Sequence, residues 1–199
     1  MGNFTVVVCG SPDYAKNLGK RSTASDMTFF DIKSGDATVT FVEPTKYPER
    51  LSTLFHAASM ADAALVVVDE TGAALGETIV MLHYVGVRKG WLLFRNYITL
   101  DQLAPFLKGT ALEGYEPVQD DHAALRELML GEAAKAGSDE PEGDSCGSVP
   151  IDHHFDVKGV GTVILGRVAD GHIRKHDAIR VLPGGKDAEI RSIQKHDDD

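Results

Sequence analysis

The stretch "NFTVVVCGSPDYAKNLGKRST", residues 3–23, decides how the first part of the chain is interpreted. Its first seven residues form an apolar, β-branched run that predicts a buried strand. The loop that follows contains two glycines and two lysines. Because a strand, a GxxxxGK[ST] loop and a helix together bind phosphate through backbone N–H groups, the stretch raises the question of a nucleotide site.

Strands and helices alternate through the first 136 residues. The predicted strands cover residues 3–9, 27–33, 37–42, 63–68 and 91–94, and the predicted helices cover residues 47–60, 75–85 and 100–107. A further helix is opened by Asp120 and Asp121, whose charges are favourable at a helix N-terminus. This order predicts an α/β domain, residues 1–136, with a parallel sheet and helices on both faces.

The pattern changes after residue 136. Residues 137–148, "GSDEPEGDSCGS", contain no apolar run and predict an acidic flexible linker. Residues 149–199 contain short β-rich segments separated by "KGVG", "ADG" and "PGG", which predict a partial antiparallel β-barrel. About five strands are too few to close a small barrel, so this domain is expected to be truncated or completed by another chain.

The composition narrows the functional classes. The formal net charge of −10 argues against a protein that coats nucleic acid by bulk electrostatics. No apolar run is long enough for a membrane span, and the N-terminus does not resemble a signal peptide, so a cytoplasmic protein is expected. The two cysteines, Cys9 and Cys146, suit a reducing compartment. The histidine spacings match no zinc pattern, so no metal site is predicted.

The β-rich part carries a specific family pattern. "IDHHFDVKGVGTVILGRVADGHIRKHDAIRVLP", residues 151–183, and "AEIRSIQKHD", residues 188–197, resemble the second domain of translation elongation factors. Within the elongation factor Tu family, the resemblance is to the branch that contains the selenocysteine-specific elongation factor and the gamma subunit of archaeal initiation factor two. In that family the glycines at Gly159, Gly161, Gly166 and Gly171 would lie at tight barrel corners.

The first part then resembles the GTPase domain of the same family. "NLGKRSTASDMTFFD", "FVEPTKYPERL" and "MADAALVVVDETG" are similar to segments of a methanogen subgroup that includes the so-called pyrrolysine elongation factor. The resemblance implies a P-loop GTPase fold, GTP with magnesium as ligand, and tRNA, the ribosome or other translation factors as partners. Each nucleotide-binding element can then be compared with its counterpart in this chain.

The phosphate loop departs from the family pattern when it is aligned from Gly10. Lys16 stands at the lysine position, but Ala15 replaces the second glycine and Asn17 replaces the Ser/Thr that holds magnesium. A Cβ at Ala15 crowds a turn that often needs positive φ. Pro12 also removes one N–H donor, so this register weakens the phosphate cradle.

The second register of the loop uses Gly19 and Lys20. By resemblance, "NLGKRST" matches a segment downstream of the loop, with about four residues deleted upstream. The "GK" pair is then a coincidental match. The stretch is interpreted as the shortened remains of a nucleotide loop.

Two further elements are altered. Glu43 stands for the aspartate of the DxxG segment that senses the outer phosphate, and Lys46 replaces its glycine. In the NKxD segment that reads guanine, Asn96 is retained, Tyr97 replaces the lysine and Thr99 replaces the aspartate. Without that carboxylate, the guanine N–H donors lose their partner, and specificity for guanine should fall.

The hypothesis is a translation-factor-like protein with a degenerate GTPase site, a pseudo-GTPase without catalytic residues. The candidates for residual nucleotide contact are Gly10, Asp13, Lys16, Lys20, Thr28 and Asn96. By resemblance, Thr28 in "SDMTFF" matches the switch threonine that holds magnesium in the family, and the alternative for a threonine in a strand is a cross-strand contact. The candidates for RNA contact are Arg174, Lys175, Arg180, Arg191 and Lys195. The alternatives are an unconventional GTPase that still binds GTP and magnesium, and a regulatory or assembly protein without an RNA role.

Overall fold

A computed structural model gives the fold of the chain. It describes residues 2–24, 26–136, 147–166, 168 and 171–194, without the side chains of residues 23, 152 and 153. The chain divides into two compact units, Met1–Glu140 and Pro141–Asp199. Residues 137–146, most of the predicted linker, lie outside the described part.

A seven-stranded mixed sheet forms the centre of the first unit, in the order β2-β3-β4-β1-β5-β6-β7. Its strands are β1 (Gly2–Cys9), β2 (Lys20–Ala24), β3 (Thr28–Ser34), β4 (Ala37–Glu43), β5 (Ala63–Val68), β6 (Gly90–Phe94) and β7 (Glu116–Val118). The five strands β4, β1, β5, β6 and β7 run parallel, whereas β3 is antiparallel to β4 and β2 is antiparallel to β3. The sheet is therefore mixed, and the prediction of a parallel sheet holds for these five strands but not for β2 and β3.

Four α-helices accompany the sheet. They are α1 (Leu51–Ser59), α2 (Ala73–Val85), α3 (Leu100–Leu107) and α4 (His122–Ala136). Helices α1, α2 and α3 contribute to one buried apolar cluster, and α4 contributes to another. Within the described residues, no helix is long and apolar enough to cross a membrane.

The continuous apolar strands lie where their composition predicts. All six residues of β5 are buried, because alternate side chains enter the two different clusters. Val66 packs in the cluster that contains α1–α3, and its neighbours Leu65 and Val67 pack in the cluster that contains α4. This arrangement places the polar residues that follow β1, β4, β5, β6 and β7 at the carboxyl edge of the sheet, where open α/β sheets bind ligands.

The second unit contains two separate two-stranded sheets in its described part. Strands β8 (Ile151–Val157) and β9 (Gly161–Gly166) form one antiparallel pair, and β10 (Ala178–Val181) and β11 (Lys186–Glu189) form the other. The prediction of antiparallel β-structure is confirmed by these pairs. Closure into a barrel stays a prediction.

Candidate functional site

The loop after β1 is short and folds onto the sheet. Between β1 and β2, a stretch described in full, the helical structure is a single 3-10 turn at Ala15–Asn17. Tyr14, Ala15 and Leu18 are buried in the cluster that contains α4. The N-terminus of a full helix following β1, which would add a favourable dipole and free N–H groups for phosphate, is therefore not formed in this stretch.

Gly10 brings the start of this loop against the neighbouring strand. Its φ is +96°, and a Cβ at this position would lie 2.0 Å from the carbonyl oxygen of Val67. Glycine is thus required both by the left-handed backbone and by the close approach to β5. Asp13 also has a positive φ of 60°, and its carboxylate lies 3.8 Å from Nζ of Lys16 in an exposed ion pair.

The carboxylate of Glu43 contacts the backbone of the loop. The N–H of Ala15 donates a buried hydrogen bond of 3.0 Å to Oε1 of Glu43. Glu43 ends β4, the strand next to β1, and only 5% of its surface is exposed. An N–H group of the kind that binds phosphate in a phosphate loop is therefore paired with a carboxyl oxygen of the same chain.

Burial dominates the electrostatics of Glu43. Desolvation raises the pKa of its carboxyl group above the ordinary value, and the charge of Asp13 acts in the same direction. The N–H groups of Ala15 and Tyr14 and the charge of Lys16 oppose this shift and do not cancel it. Ionisation of this buried carboxyl group therefore costs free energy, and the hydrogen bonds donated by the loop reduce that cost.

A second contact joins the loop to the opposite side of the sheet edge. Tyr14 is 2% exposed, and its hydroxyl donates a 2.6 Å hydrogen bond to Oδ1 of Asp120, which follows β7. Nε of Arg95, which follows β6, donates to Oδ2 of Asp120 at 2.7 Å. The Arg95 guanidinium also lies over the Tyr14 ring, 5.2 Å from its centroid.

This network fixes the charge of Asp120. Burial alone would raise the pKa of its carboxyl group, but hydrogen bonds from Tyr14 and Arg95 and the positive charge of Arg95 lower it overall. The same network includes Asp69, whose Oδ1 lies 3.7 Å from Arg95, and His122, whose Nε2 lies 3.4 Å from Asp120. Side chains that follow β5, β6 and β7 therefore converge on one tyrosine of the β1 loop.

Lys20 lies in a strand. It begins β2 and stands opposite Asp31 of β3 in the antiparallel register. A Cβ on Gly19 would lie 3.1 Å from the backbone of Asp31, so this glycine serves close strand packing. Lys20 thus belongs to the pairing of β2 with β3 and not to the 3-10 turn that follows β1.

Thr28 is bonded within the protein. It begins β3, is buried, and its Oγ1 lies 2.6 Å from Oγ1 of Thr45, with either hydroxyl able to donate. Thr45 follows the end of β4. The sequence offered a magnesium ligand or a cross-strand contact for Thr28, and the observed bond is a contact between neighbouring segments.

The segment after β6 is organised by its own polar side chains. Nδ2 of Asn96 donates a 2.9 Å hydrogen bond to the carbonyl oxygen of Asp69, and Tyr97 is fully exposed. Both residues have positive φ values, 51° for Asn96 and 62° for Tyr97. Thr99 precedes α3, and its N–H donates to Oε1 of Gln102 at 3.1 Å, which stabilises the start of that helix.

The basic candidates of the second unit differ in their partners. Arg180 forms an ion pair with Asp187 at 2.9 Å, and Nη1 of Arg191 lies 3.4 Å from the carbonyl oxygen of Val160. Arg174 and Lys175 are exposed, and no ion pair of either is seen in the part of the unit that the structure describes. Lys195 lies outside the described residues.

The contacts of Glu43 and Tyr14 were missed by sequence reasoning. The two partners of the Tyr14–Asp120 bond are 106 residues apart, and no local pattern connects them. The sequence signal that could indicate this contact is position, because Tyr14 follows β1 and Asp120 follows β7, and both strands run parallel in the sheet. Within the described ranges, no group of three or more His, Cys, Asp or Glu residues is placed to hold a metal ion.

The sheet order and the polar residues at its carboxyl edge define an open α/β domain with a mixed sheet. The chain is 40% identical over 200 residues to an uncharacterized protein of Methanocaldococcus jannaschii, covering all of this chain and 63% of that protein. It is 26% identical over 205 residues to the selenocysteine-specific elongation factor of the same organism, covering 92% of this chain and 42% of that factor. It is also 26% identical over 211 residues to elongation factor 1-alpha of Methanosarcina mazei, covering 97% of this chain and 44% of that factor.

Solved structures agree in fold. The elongation factor SelB from Methanococcus maripaludis, solved in complex with the GTP analogue GppNHp, matches with a TM-score of 0.69 at 21% identity over all of this chain and 48% of that one. A bacterial selenocysteine-specific elongation factor matches with a TM-score of 0.74 at 17% identity, covering 99% of this chain and 40% of that one. No family model matches the sequence.

In its GTPase-domain region the chain is homologous to translation elongation factors of the selenocysteine-specific and 1-alpha types. It spans 42% to 63% of the length of the three curated relatives described above.

Proposed function

We propose that this chain is a translation-factor-like protein whose GTPase-like domain does not use a guanine nucleotide. Its homology to elongation factors supports a role in protein synthesis. The contact that carries the proposal is the hydrogen bond from the Ala15 N–H to the Glu43 carboxylate. A phosphate would have to displace this carboxyl group from the N–H, and any negative charge on Glu43 would repel the phosphate in a poorly solvated site.

The segment that would read the base is also engaged with the protein itself. The resemblance places the guanine-reading segment after β6, where Arg95 binds Asp120 and lies over Tyr14. Asn96 is bonded to the backbone of Asp69, and Thr99 stabilises the start of α3. These contacts support the view that the residues present do not fit GTP and magnesium in the manner of the family.

Phosphorus NMR of GTP in the presence of magnesium tests this half of the proposal. Adding the protein should leave the positions and widths of the three phosphate signals unchanged. Broadening at micromolar protein that is lost when Lys16 or Lys20 is replaced by alanine would instead favour an unconventional GTPase.

The second unit is the candidate for RNA contact. The turn that carries Arg174 and Lys175 is fixed by a 2.6 Å hydrogen bond from the Arg174 N–H to Oδ2 of Asp177. The N–H of His176 also donates to the carbonyl oxygen of Ile190 at 2.7 Å. A rigid turn with two exposed cations suits contact with the phosphates of tRNA or ribosomal RNA.

Binding of labelled tRNA at several salt concentrations tests the RNA role. The doubly substituted Arg174→Ala, Lys175→Ala protein should bind more weakly and lose roughly two units of salt dependence, about one for each phosphate contact. The doubly substituted Lys33→Ala, Lys108→Ala protein is the matched control, because it removes two exposed cations of the first unit that are not candidates for RNA contact, and its salt dependence should stay close to that of wild type. Absence of tRNA affinity at low salt would favour a regulatory or assembly role.

A further inference from the structure

The start of β3 with the residues just before it, and the segment after β4, are bonded to each other by three kinds of contact. The hydroxyls of Thr28 and Thr45 lie 2.6 Å apart. The backbone N–H of Lys46 donates to the carbonyl oxygen of Asp26 at 3.1 Å. The guanidinium of Arg50 forms an ion pair with the carboxylate of Asp26.

These contacts continue into the first helix. The N–H of Arg50 donates to the carbonyl oxygen of Lys46 at 2.8 Å, and Oγ1 of Thr53 in α1 donates to the carbonyl oxygen of Arg50 at 2.7 Å. At the other end of the segment, Glu43 binds the β1 loop through Ala15. One connected set of hydrogen bonds therefore runs from the loop through the end of β4 to α1.

The two segments occupy places where a GTPase changes shape. The resemblance puts Thr28 at the switch threonine and Glu43 to Lys46 at the segment that senses the outer phosphate. In GTPases the outer phosphate and its magnesium hold such loops, and hydrolysis releases them. In this chain the corresponding segments hold each other.

We propose that Asp26, Thr28, Thr45, Lys46 and Arg50 form a latch that fixes the two switch-like segments in one arrangement without nucleotide. The inference rests on the proposed function in that no nucleotide competes for these groups. Its consequence is that the arrangement of these two segments does not depend on GTP or GDP.

Hydrogen exchange of the Lys46 amide, followed by NMR, measures opening of the latch directly. Thr28→Val keeps the β-branched shape and removes one hydroxyl, and Thr45→Val removes its partner. Each should speed Lys46 exchange by about three- to tenfold, the range expected for one lost hydrogen bond. The double variant should match the single variants within about twofold, because both remove the same bond.

Thr40→Val is the matched control. Its hydroxyl donates to Asp31 at 2.7 Å within the β3–β4 pair, outside the latch, so Lys46 exchange should not change. Arg50→Met, at an exposed position, should also speed Lys46 exchange and gives a second readout if Thr28→Val folds poorly. The latch would be overturned if Lys46 exchange were unchanged in both Thr28→Val and Arg50→Met. It would also be overturned if the acceleration of exchange in the Thr28→Val, Thr45→Val double variant equalled the product of the accelerations in the two single variants.

Millimolar GTP with magnesium separates failure of the latch from failure of the proposed function. The expected result is unchanged Lys46 exchange in the wild-type protein. Slower or faster exchange on adding GTP would overturn the latch as a nucleotide-independent device. Tight GTP binding with unchanged Lys46 exchange would contradict the proposed function alone and would leave the latch supported.

Discussion

The backbone N–H of Ala15 and the carboxylate of Glu43 are joined by a buried 3.0 Å hydrogen bond. This bond connects the loop that follows β1 to the end of β4, the next strand in the sheet. It joins a carboxyl oxygen to a backbone donor of the loop that follows β1.

Replacing Glu43 by glutamine should change how stability depends on pH. The pKa of Glu43 is raised in the folded protein by burial, so its ionisation opposes folding. The stability that protonated Glu43 provides is complete below the unfolded-state value near 4.5 and is lost as the pH rises through the raised folded-state value. Urea unfolding from pH 3.5 to pH 8 should therefore show wild type losing stability relative to Glu43→Gln as pH increases. The opposite trend would contradict this assignment.

Tyr14→Phe should destabilise the first unit by roughly 1–2 kcal/mol at neutral pH. The change removes the hydroxyl that donates to Asp120 and leaves the buried ring in place. Urea unfolding measures the loss. Tyr84→Phe is the matched control, because Tyr84 is 82% exposed and should tolerate the change. Equal effects at both positions would show that the Tyr14–Asp120 bond contributes little.

Acid should reduce the difference between wild type and Tyr14→Phe. The pKa of Asp120 is lowered in the folded protein, since the hydrogen bonds and charge around it outweigh the effect of burial. The stability that ionised Asp120 provides is complete above its unfolded-state pKa of 3.8 and is lost as the pH falls through its lower folded-state pKa. A stability difference that grows on acidification below pH 4 would be inconsistent with an ionised Asp120.

Gly10→Ala should destabilise the protein by roughly 2–5 kcal/mol. The new Cβ would collide with the carbonyl oxygen of Val67 and would occupy a left-handed backbone. Gly35→Ala is the control, because Gly35 also has a positive φ, of 57°, but has no atom within 4 Å of the added Cβ. It should cost only about 1 kcal/mol. Similar unfolding midpoints for the two variants would argue against the close approach of the β1 loop to β5.

Thr38→Val should stabilise the protein by about 0.5–1.5 kcal/mol. The hydroxyl of Thr38 is buried, and no hydrogen-bond partner is found for it among the residues that the structure describes. Valine has nearly the same shape and removes the unsatisfied group from a strand. Thr40→Val is the comparison, because it loses a hydrogen bond to Asp31. Relative to wild type, the thermal unfolding midpoint should rise in Thr38→Val and fall in Thr40→Val.

The apolar pattern predicted most of the first unit. The strand at residues 63–68 and the helix at residues 100–107 were found with the predicted bounds, because each is a single uninterrupted pattern with clear ends. Strand β2 was missed because "KRSTA" at residues 20–24 is polar and lies at the sheet edge, where no apolar alternation is required. Strand β7 was missed because it is short and contains Pro117.

The candidate site was only partly predictable. The loop after Gly10 and the altered Glu43, Tyr97 and Thr99 positions could be named from the sequence through the family resemblance. The partners could not, because Tyr14 and Asp120 meet through the order of strands in the sheet. Lys20 was grouped with the loop by its local "GK" pattern, whereas its pairing opposite Asp31 depends on a hairpin formed further along the chain.

Isothermal titration of the protein with GTP and GDP in the presence of magnesium tests the central claim most directly. Wild type should give no binding isotherm with a dissociation constant below the millimolar range, because Glu43 and Tyr14 engage the groups that a nucleotide would need. An elongation factor 1-alpha titrated under the same conditions provides the positive control. Micromolar affinity of the wild-type protein for either guanine nucleotide would contradict the account.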